Sequence, residues 1–243
     1  MWEKQVVVPP RSVANKDDLE GAFVKEPQTG MHDWVVSFDI NSLYPNLIVQ
    51  YNMSPETTLP GRLPGVTVDK LLSGEQFDIP DDVTMAASGV RFSKEKQGII
   101  PKIITQYYEE RKQIKKRMIQ AKQEYEKTPT KRLDYEINHL ENQQMSIKIL
   151  MNSLYGALGN KHFRYFANQV AESITKSGQL SIRWAEKAIN DEMNSFLDTL
   201  GEDYIIAIDT DSLYVNMKPV VDKFKPKNPT NFLDSISKDH FEP

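Results

Sequence analysis

Late in the chain the apolar run Tyr204-Ile205-Ile206-Ala207-Ile208 meets Asp209-Thr210-Asp211-Ser212 and resumes as Leu213-Tyr214-Val215, which places two carboxylates in the joint of an apolar hairpin. Strand residues i and i+2 share a face, so the pattern predicts that Asp209 and Asp211 aim at one spot. Two close carboxylates repel unless a proton or a cation relieves them, and a hard divalent cation is the simplest partner. Asp and Thr are also ordinary turn formers, so the hairpin by itself admits a plain turn as well as a metal site. A third carboxylate, Asp39, ends another apolar run, Trp34-Val35-Val36-Ser37-Phe38, far upstream. Between these carboxylates lie Arg111, Lys115 and Lys148, cations suited to gripping a phosphate chain. Carboxylates for divalent metals plus cations for phosphates equip a protein for phosphoryl or nucleotidyl transfer. Each part also has a plain structural reading. The basic run from Arg111 to Lys122 suits a solvated helix face, Lys148 suits a snorkelling side chain, and Tyr44 and Tyr155 suit packing aromatics. Spacing alone leaves nucleotidyl transfer and an unassigned metal or phosphate binder both open.

The elements that must position these residues follow from periodicity. Residues 1 to 33, with Pro9-Pro10, read as an extended or irregular lead-in. Trp34 to Phe38 reads as a buried strand ending at Asp39, with Ser42-Leu43-Tyr44-Pro45 turning into a short helix. Residues 54 to 98 are dense in Pro and Gly, which predicts short strands and turns. From Ile100, the stripe Ile104, Tyr107, Ile114, Met118, Ala121 and Tyr125 predicts a long helix that includes Arg111. Thr128-Pro129 reads as an N-cap with proline at the first helical position, opening a second helix striped by Leu133, Ile137, Leu140, Ile147, Met151 and Leu154. The two form an antiparallel hairpin, with Arg111 and Lys148 level with each other, roughly 27 Å from its tip. Residues 167 to 200 suit another helix, with Val170, Ala171, Ile174, Trp184, Ala188 and Phe196 toward a core and Gly201 as its stop. A last short helix is expected around Phe232 to Ile236.

Composition limits the classes. At 39% hydrophobic and 26% charged residues, 243 residues can bury the core of one large or two small domains. No apolar run reaches the length needed to span a bilayer, and Met1-Trp2-Glu3-Lys4-Gln5 is no signal peptide. The absence of cysteine excludes disulfide staples and thiolate chemistry and fits a reducing compartment. A net charge of -4 argues against a uniformly basic nucleic-acid coat while allowing a local basic groove.

Three segments, in order, carry a resemblance: Asp39-Ile40-Asn41-Ser42-Leu43-Tyr44-Pro45, Lys148 with Asn152-Ser153-Leu154-Tyr155-Gly156, and Asp209-Thr210-Asp211-Ser212. They resemble motifs A, B and C of family B DNA polymerases. Gly21 to Pro27, Asn52 to Thr57 and Leu154 to Asn160 look like the replicative enzymes of T-even-type bacteriophages, and the resemblance covers nearly the whole chain. It implies an α+β fold, a polymerase palm of antiparallel sheet backed by helices with a fingers subdomain of two long antiparallel helices. The implied division is 1–100 for the first part of the palm, 101–160 for the fingers and 161–243 for the second part of the palm. Asp39 and Asp211 would then be ligands of two catalytic Mg²⁺ ions, with Asp209 the adjacent carboxylate. Arg111, Lys115 and Lys148 would grip the triphosphate of a dNTP, Lys148 also serving as proton donor to pyrophosphate, assisted by backbone N–H groups of Ser42 and Leu43. Tyr44 would lie beneath the deoxyribose and exclude a 2′-hydroxyl. Asn152 and Tyr155 would line the nascent base-pair pocket, and Gly156 would let the template strand approach.

Three residues in two segments depart from the family pattern. Ala207 and Ile208 stand where Tyr-Gly usually precedes motif C, at the local primer contacts, and Asn46 replaces a usual serine of motif A. The resemblance further implies that the exonuclease, the end of the palm and the thumb lie outside these residues. Primer-template DNA is the expected partner, with a second polypeptide supplying thumb or exonuclease and a sliding clamp as further partners, in the cytoplasm of an infected bacterial host and with no membrane. The alternative is a non-catalytic binding or assembly fragment of a replication complex.

Overall fold

The computed structural model describes residues 20–241, so residues 1–19 of the expected lead-in, Pro9-Pro10 among them, lie outside the described residues. In chain order the elements are β1 (Val24–Lys25), β2 (Val35–Asp39), α1 (Leu43–Gln50), β3 (Thr58–Arg62), α2 (Val68–Leu72), β4 (Val83–Met85), β5 (Val90–Ser93), α3 (Ile99–Lys127), α4 (Lys131–Leu158), α5 (Asn168–Leu197), β6 (Ile205–Asp209), β7 (Ser212–Asn216), α6 (Lys218–Phe224) and α7 (Pro229–Ile236). A 3-10 turn at Pro55–Thr57 and a π-helical stretch at Ser237–Phe241 complete them. This is the expected α+β mixture of antiparallel sheets and long helices. None of these helices is long and apolar enough to cross a membrane. Two compact units result. One holds Tyr44–Thr67 and Gln76–Lys176, the other Gly21–Leu43, Val68–Glu75 and the described chain from Ser177 onward.

The second unit is built on an antiparallel sheet of order β1-β6-β7-β2. Alternation sorts its side chains, as a pleated strand requires. Ile208, Leu213 and Val215 are buried, with Val36 and Phe38 packed beside them, against Ile182, Ile189 and Met193 of α5 and Leu233 and Ile236 of α7. Val35, Ser37, Asp39, Asp209 and Tyr214 remain exposed. Strand β6 departs from regular pairing between Ile205 and Ala207, and the Ile206 carbonyl there accepts from the Gln28 N–H at 2.9 Å.

Helix α5 ends earlier than the glycine suggests. Its last residue is Leu197, and Asp198 takes the left-handed conformation (φ 58°), which Asp tolerates better than most side chains. Gly201, also left-handed at φ 72°, sits in the loop beyond. Trp184 is 64% exposed rather than core-facing, because the core stripe of this helix runs through Ile182 and Ile189, and a step of two residues from Ile182 leaves that face.

In the first unit α3 and α4 pack as the expected hairpin, every residue of both predicted stripes being buried or half-buried. The cap differs from the expectation. Thr128 closes α3, its N–H donating to the Glu124 carbonyl, whereas Thr130 caps α4 by accepting from the Leu133 N–H at 3.2 Å. The reason is local: a residue before proline is pushed out of the helical region, and Thr128 sits at φ -144°, ψ 85°. Residues 54 to 98 do form short strands and turns, with a sheet of order β3-β5-β4. Asn52, left-handed at φ 57°, latches this region to the start of α3. Its amide donates to the Ser93 and Lys96 carbonyls (2.7 and 2.8 Å) and its side-chain oxygen accepts from the Gly98 N–H (2.8 Å). Ile48, Met53, Phe92, Ile104, Leu158 and Ile174 form the core behind it.

Candidate functional site

In the second unit the strand register draws the distant carboxylates to one end of the sheet. Ser212 of β7 is paired with Asp39 on one side and Asp209 on the other, and paired residues share a face of the sheet. Backbones two strands apart are separated by about 10 Å, so Asp39 and Asp209 flank Ser212 without touching. Thr210 and Asp211 form the two-residue connection from β6 to β7. Asp211 therefore lies in the turn and not at i+2 of a strand, which corrects the expectation that strand geometry aligns it with Asp209. Hydrogen bonds fix it instead. The Asp211 N–H donates to the Asp209 carbonyl at 2.7 Å, and the Asp211 carbonyl accepts from the Ile40 N–H at 2.8 Å, next to Asp39. Thr210 is left-handed (φ 58°). Its hydroxyl donates to Asp209 Oδ1 at 3.0 Å, and its N–H donates to the Phe23 carbonyl of the segment entering β1 at 3.1 Å.

Asp39 and Asp209 are exposed and Asp211 is half-buried. Among the described residues no three His, Cys, Asp or Glu side chains lie together so that they could hold a metal ion. What the turn offers is carboxylate oxygens with open surface around them, a donor type that suits Mg²⁺, which keeps waters and takes substrate phosphates beside one or two protein carboxylates. Behind this row, Ala207 lies opposite Tyr214, itself paired with Ser37, on the open face, while Ile208 is 1% exposed in the core. Ser42, left-handed at φ 55°, leads into α1, whose first residue is the buried Leu43. N–H groups at a helix start have no acceptor within the helix and are open to an anion.

In the first unit the residues of motifs A and B meet through Tyr44 and Tyr155, whose ring centres lie 4.9 Å apart at 59°. Burial pushes the Tyr155 hydroxyl up from its ordinary value. Lys148, Asn152 and Gly156 succeed one another at single-turn intervals on α4, all exposed. A side chain added at Gly156 would meet nothing within 4 Å, so its surface is open. Lys115 is exposed on α3, and neither it nor Lys148 has a side-chain partner among the described residues. Arg111 is half-buried, and its Nε donates to Gln144 Oε1 at 3.2 Å, one turn of α4 tipward of Lys148.

Gln144, 5% exposed, donates onward to Glu141 at 2.8 Å, and Glu141 lies 3.8 Å from Lys122, so a polar chain crosses between the two helices. Sequence reasoning passed over Gln144. The signal was its place four residues after Leu140 and three before Ile147, a polar residue on an apolar stripe. The tie from Phe23 to Thr210 had no such signal.

The family model described as DNA polymerase family B matches residues 1–242. The DNA-directed DNA polymerase of Enterobacteria phage T4 is 33% identical, the match covering 98% of this chain and 32% of that protein. The DNA-directed DNA polymerase of Escherichia phage RB69 is 29% identical, covering 99% of this chain and again 32% of the relative. Among solved structures, the family B DNA polymerase from the hyperthermophilic archaeon Pyrobaculum calidifontis superposes with a TM-score of 0.57 at 28% identity, over 98% of this chain and 26% of that one. The chain thus spans about a third of the length of the phage relatives it matches.

Proposed function

This chain belongs to DNA polymerase family B, and from that premise we propose that it carries the palm and fingers of a template-directed DNA polymerase, transferring a nucleotide from a dNTP to a primer 3′-hydroxyl. The observation that supports this most is the register that sets Asp39 and Asp209 on either side of Ser212, with Asp211 tied to Ile40. Two carboxylate segments from opposite ends of the chain have no structural need to share a sheet end.

In this reading Asp39 and Asp211 hold two Mg²⁺ ions, with Asp209 beside them. When bound, these ions supply activation of the primer hydroxyl and neutralisation of charge on the α-phosphate and departing pyrophosphate. Arg111, Lys115 and Lys148 neutralise and orient the triphosphate, and Lys148 gives its proton to the leaving pyrophosphate oxygen. The ammonium groups of Lys115 and Lys148, unpartnered among the described residues, suit them to it. Backbone N–H groups of Ser42 and Leu43 add donors to the same phosphates. Tyr44, backed by Tyr155, fills the space a 2′-hydroxyl would need. Asn152 and Tyr155 bound the new base pair, and the bare surface of Gly156 admits the template.

The chain works with further polymerase segments, in cis or on a second polypeptide. With about a third of the relatives' length it offers few phosphate contacts to primer-template at moderate salt, so alone it extends primers little. The test is calorimetric titration of the chain with dATP, with and without Mg²⁺, beside Asp211→Ala. Binding that requires Mg²⁺ and weakens at least about tenfold in a variant of unchanged circular dichroism is the expected result. Metal-independent binding, or full binding by Asp211→Ala, would remove the carboxylate site and favour the assembly-fragment alternative.

A further inference from the structure

The segment before and through β1 is short, yet it is fastened at more points than two strand residues need. Lys25 Nζ donates to Glu186 Oε1 of α5 at 2.7 Å and to Asp203 Oδ2, in the loop before β6, at 2.5 Å. Gln179 of α5 donates to the Gly21 carbonyl at 2.7 Å, and the Arg183 guanidinium lies 5.4 Å from the centre of the Phe23 ring while pairing with Asp69 at 2.8 Å. Beyond the strand, the Gln28 N–H and side chain reach the Ile206 and Ile205 carbonyls. The strand itself pairs Val24 with Asp209 and Lys25 with Ile208. All of this sits within the second unit.

The consequence falls on the carboxylate turn. Thr210 is held left-handed between Asp209 and Asp211, and its N–H is committed to the Phe23 carbonyl. Where that carbonyl stands decides where the turn stands, and Lys25, two residues on, fixes it to both the supporting helix and the entrance of β6. We propose that Lys25 is a positioning residue for the Asp209-Thr210-Asp211 turn, acting through the Phe23 carbonyl and the Thr210 amide. The inference rests on the reading of those carboxylates as metal ligands. Charge-assisted bonds to two acids from two different elements suit the task, because a single neutral bond leaves a short edge strand free to open locally. Lys25 is correspondingly stabilised in its charged form. Burial alone would depress its pKa, and the bonds to Asp203 and Glu186 more than reverse this.

Lys25→Met and Lys25→Arg in the full chain separate positioning from mere stabilisation. Hydrogen exchange of the Thr210 amide is read beside amides of β7 and the middle of α5, and Mn²⁺ affinity by electron paramagnetic resonance. Lys25→Met is expected to speed exchange at Thr210 about tenfold while β7 and α5 keep their protection, and to weaken Mn²⁺ about tenfold. Lys25→Arg, which keeps the charge and the reach, restores both. Unchanged exchange at Thr210, or acceleration spread evenly over the sheet, overturns the proposal. If Lys25→Met does not fold, Glu186→Gln and Asp203→Asn each take the opposite charge from one of the two ties, and Glu186→Ala and Asp203→Ala remove the acceptor; all are read by the same criterion. If the unaltered chain binds no Mn²⁺, the metal reading fails, and the Thr210 amide still decides whether Lys25 sets the turn.

Discussion

Placing Tyr-Gly, the pair expected from the resemblance, at Ala207-Ile208 ahead of the carboxylates is expected to cost this protein much of its stability, and almost all of that cost sits at Ile208. The side chain is 1% exposed and belongs to the core cluster that holds Ile182, Ile189, Leu213 and Val215. Truncating a buried Ile to Ala typically costs about 2–5 kcal/mol, transfer and cavity together. Glycine in a strand adds about 0.5–1 kcal/mol of backbone entropy. Ile208→Gly should therefore lose about 4 kcal/mol, against about 1 kcal/mol for Ile208→Val, which keeps most of the volume. Ala207→Tyr points to the open face opposite Tyr214 and should stay within about 0.5 kcal/mol of the parent. Urea unfolding checks this. With a denaturant slope of about 2 kcal/mol per molar, Ile208→Gly moves the midpoint of the unit that holds it by about 2 M. If Ile208→Gly is no worse than Ile208→Val, or if Ala207→Tyr proves the costlier change, the assignment of Ile208 to the core and Ala207 to the open face is wrong.

Gly98→Ala should destabilise the first unit by about 1–3 kcal/mol in the same assay, because the added carbon would stand 2.7 Å from Ser54 Cβ and close to Pro101 and Thr57, with no free space to take it. Asp203→Asn tests the Lys25 ties by pH. Burial works against the Asp203 carboxylate, but bonds from Lys25, Asn190 and the Ile205 N–H hold its pKa below the ordinary value. Its contribution is thus present above the ordinary carboxylate range and fades as the pH falls through the lowered value. The variant should be less stable by at most about 1 kcal/mol near neutrality, partial exposure limiting the effect, and the gap in urea midpoints should close in acid. The Lys25 contribution has the opposite limb. Its raised pKa keeps it intact at neutral pH and loses it only in strong alkali.

What the sequence made legible followed periodicity and what it hid followed distance. The stripes of α3 and α4 required the hairpin, and the paired apolar runs required β6 and β7. Register was not legible. Nothing local says that Ser212 pairs with Asp39, because that pairing depends on which of two distant strands comes to lie beside β7. Strand β1 was hidden for the same reason, since two residues carry no period and Val24-Lys25 becomes a strand only because β6 offers it an edge. The misplaced cap was a local error, in which Thr128 and Thr130 were equally good residues and the constraint of Pro129 on its predecessor decided between them. Arg111 and Lys148 were placed level by helix length, whereas the contact Arg111 makes is with Gln144, a partner chosen by side-chain reach across the hairpin.

Thr210 carries one more implication. A β-branched residue at φ 58° is among the least favoured ways to make a turn, costing on the order of 1–2 kcal/mol relative to glycine. A screen for thermostability would choose glycine here early and report success, while removing the hydroxyl that holds Asp209 and the stiffness that aims its neighbour. In the proposed reading of this hairpin, the stability optimum and the functional optimum of the sequence lie at different residues.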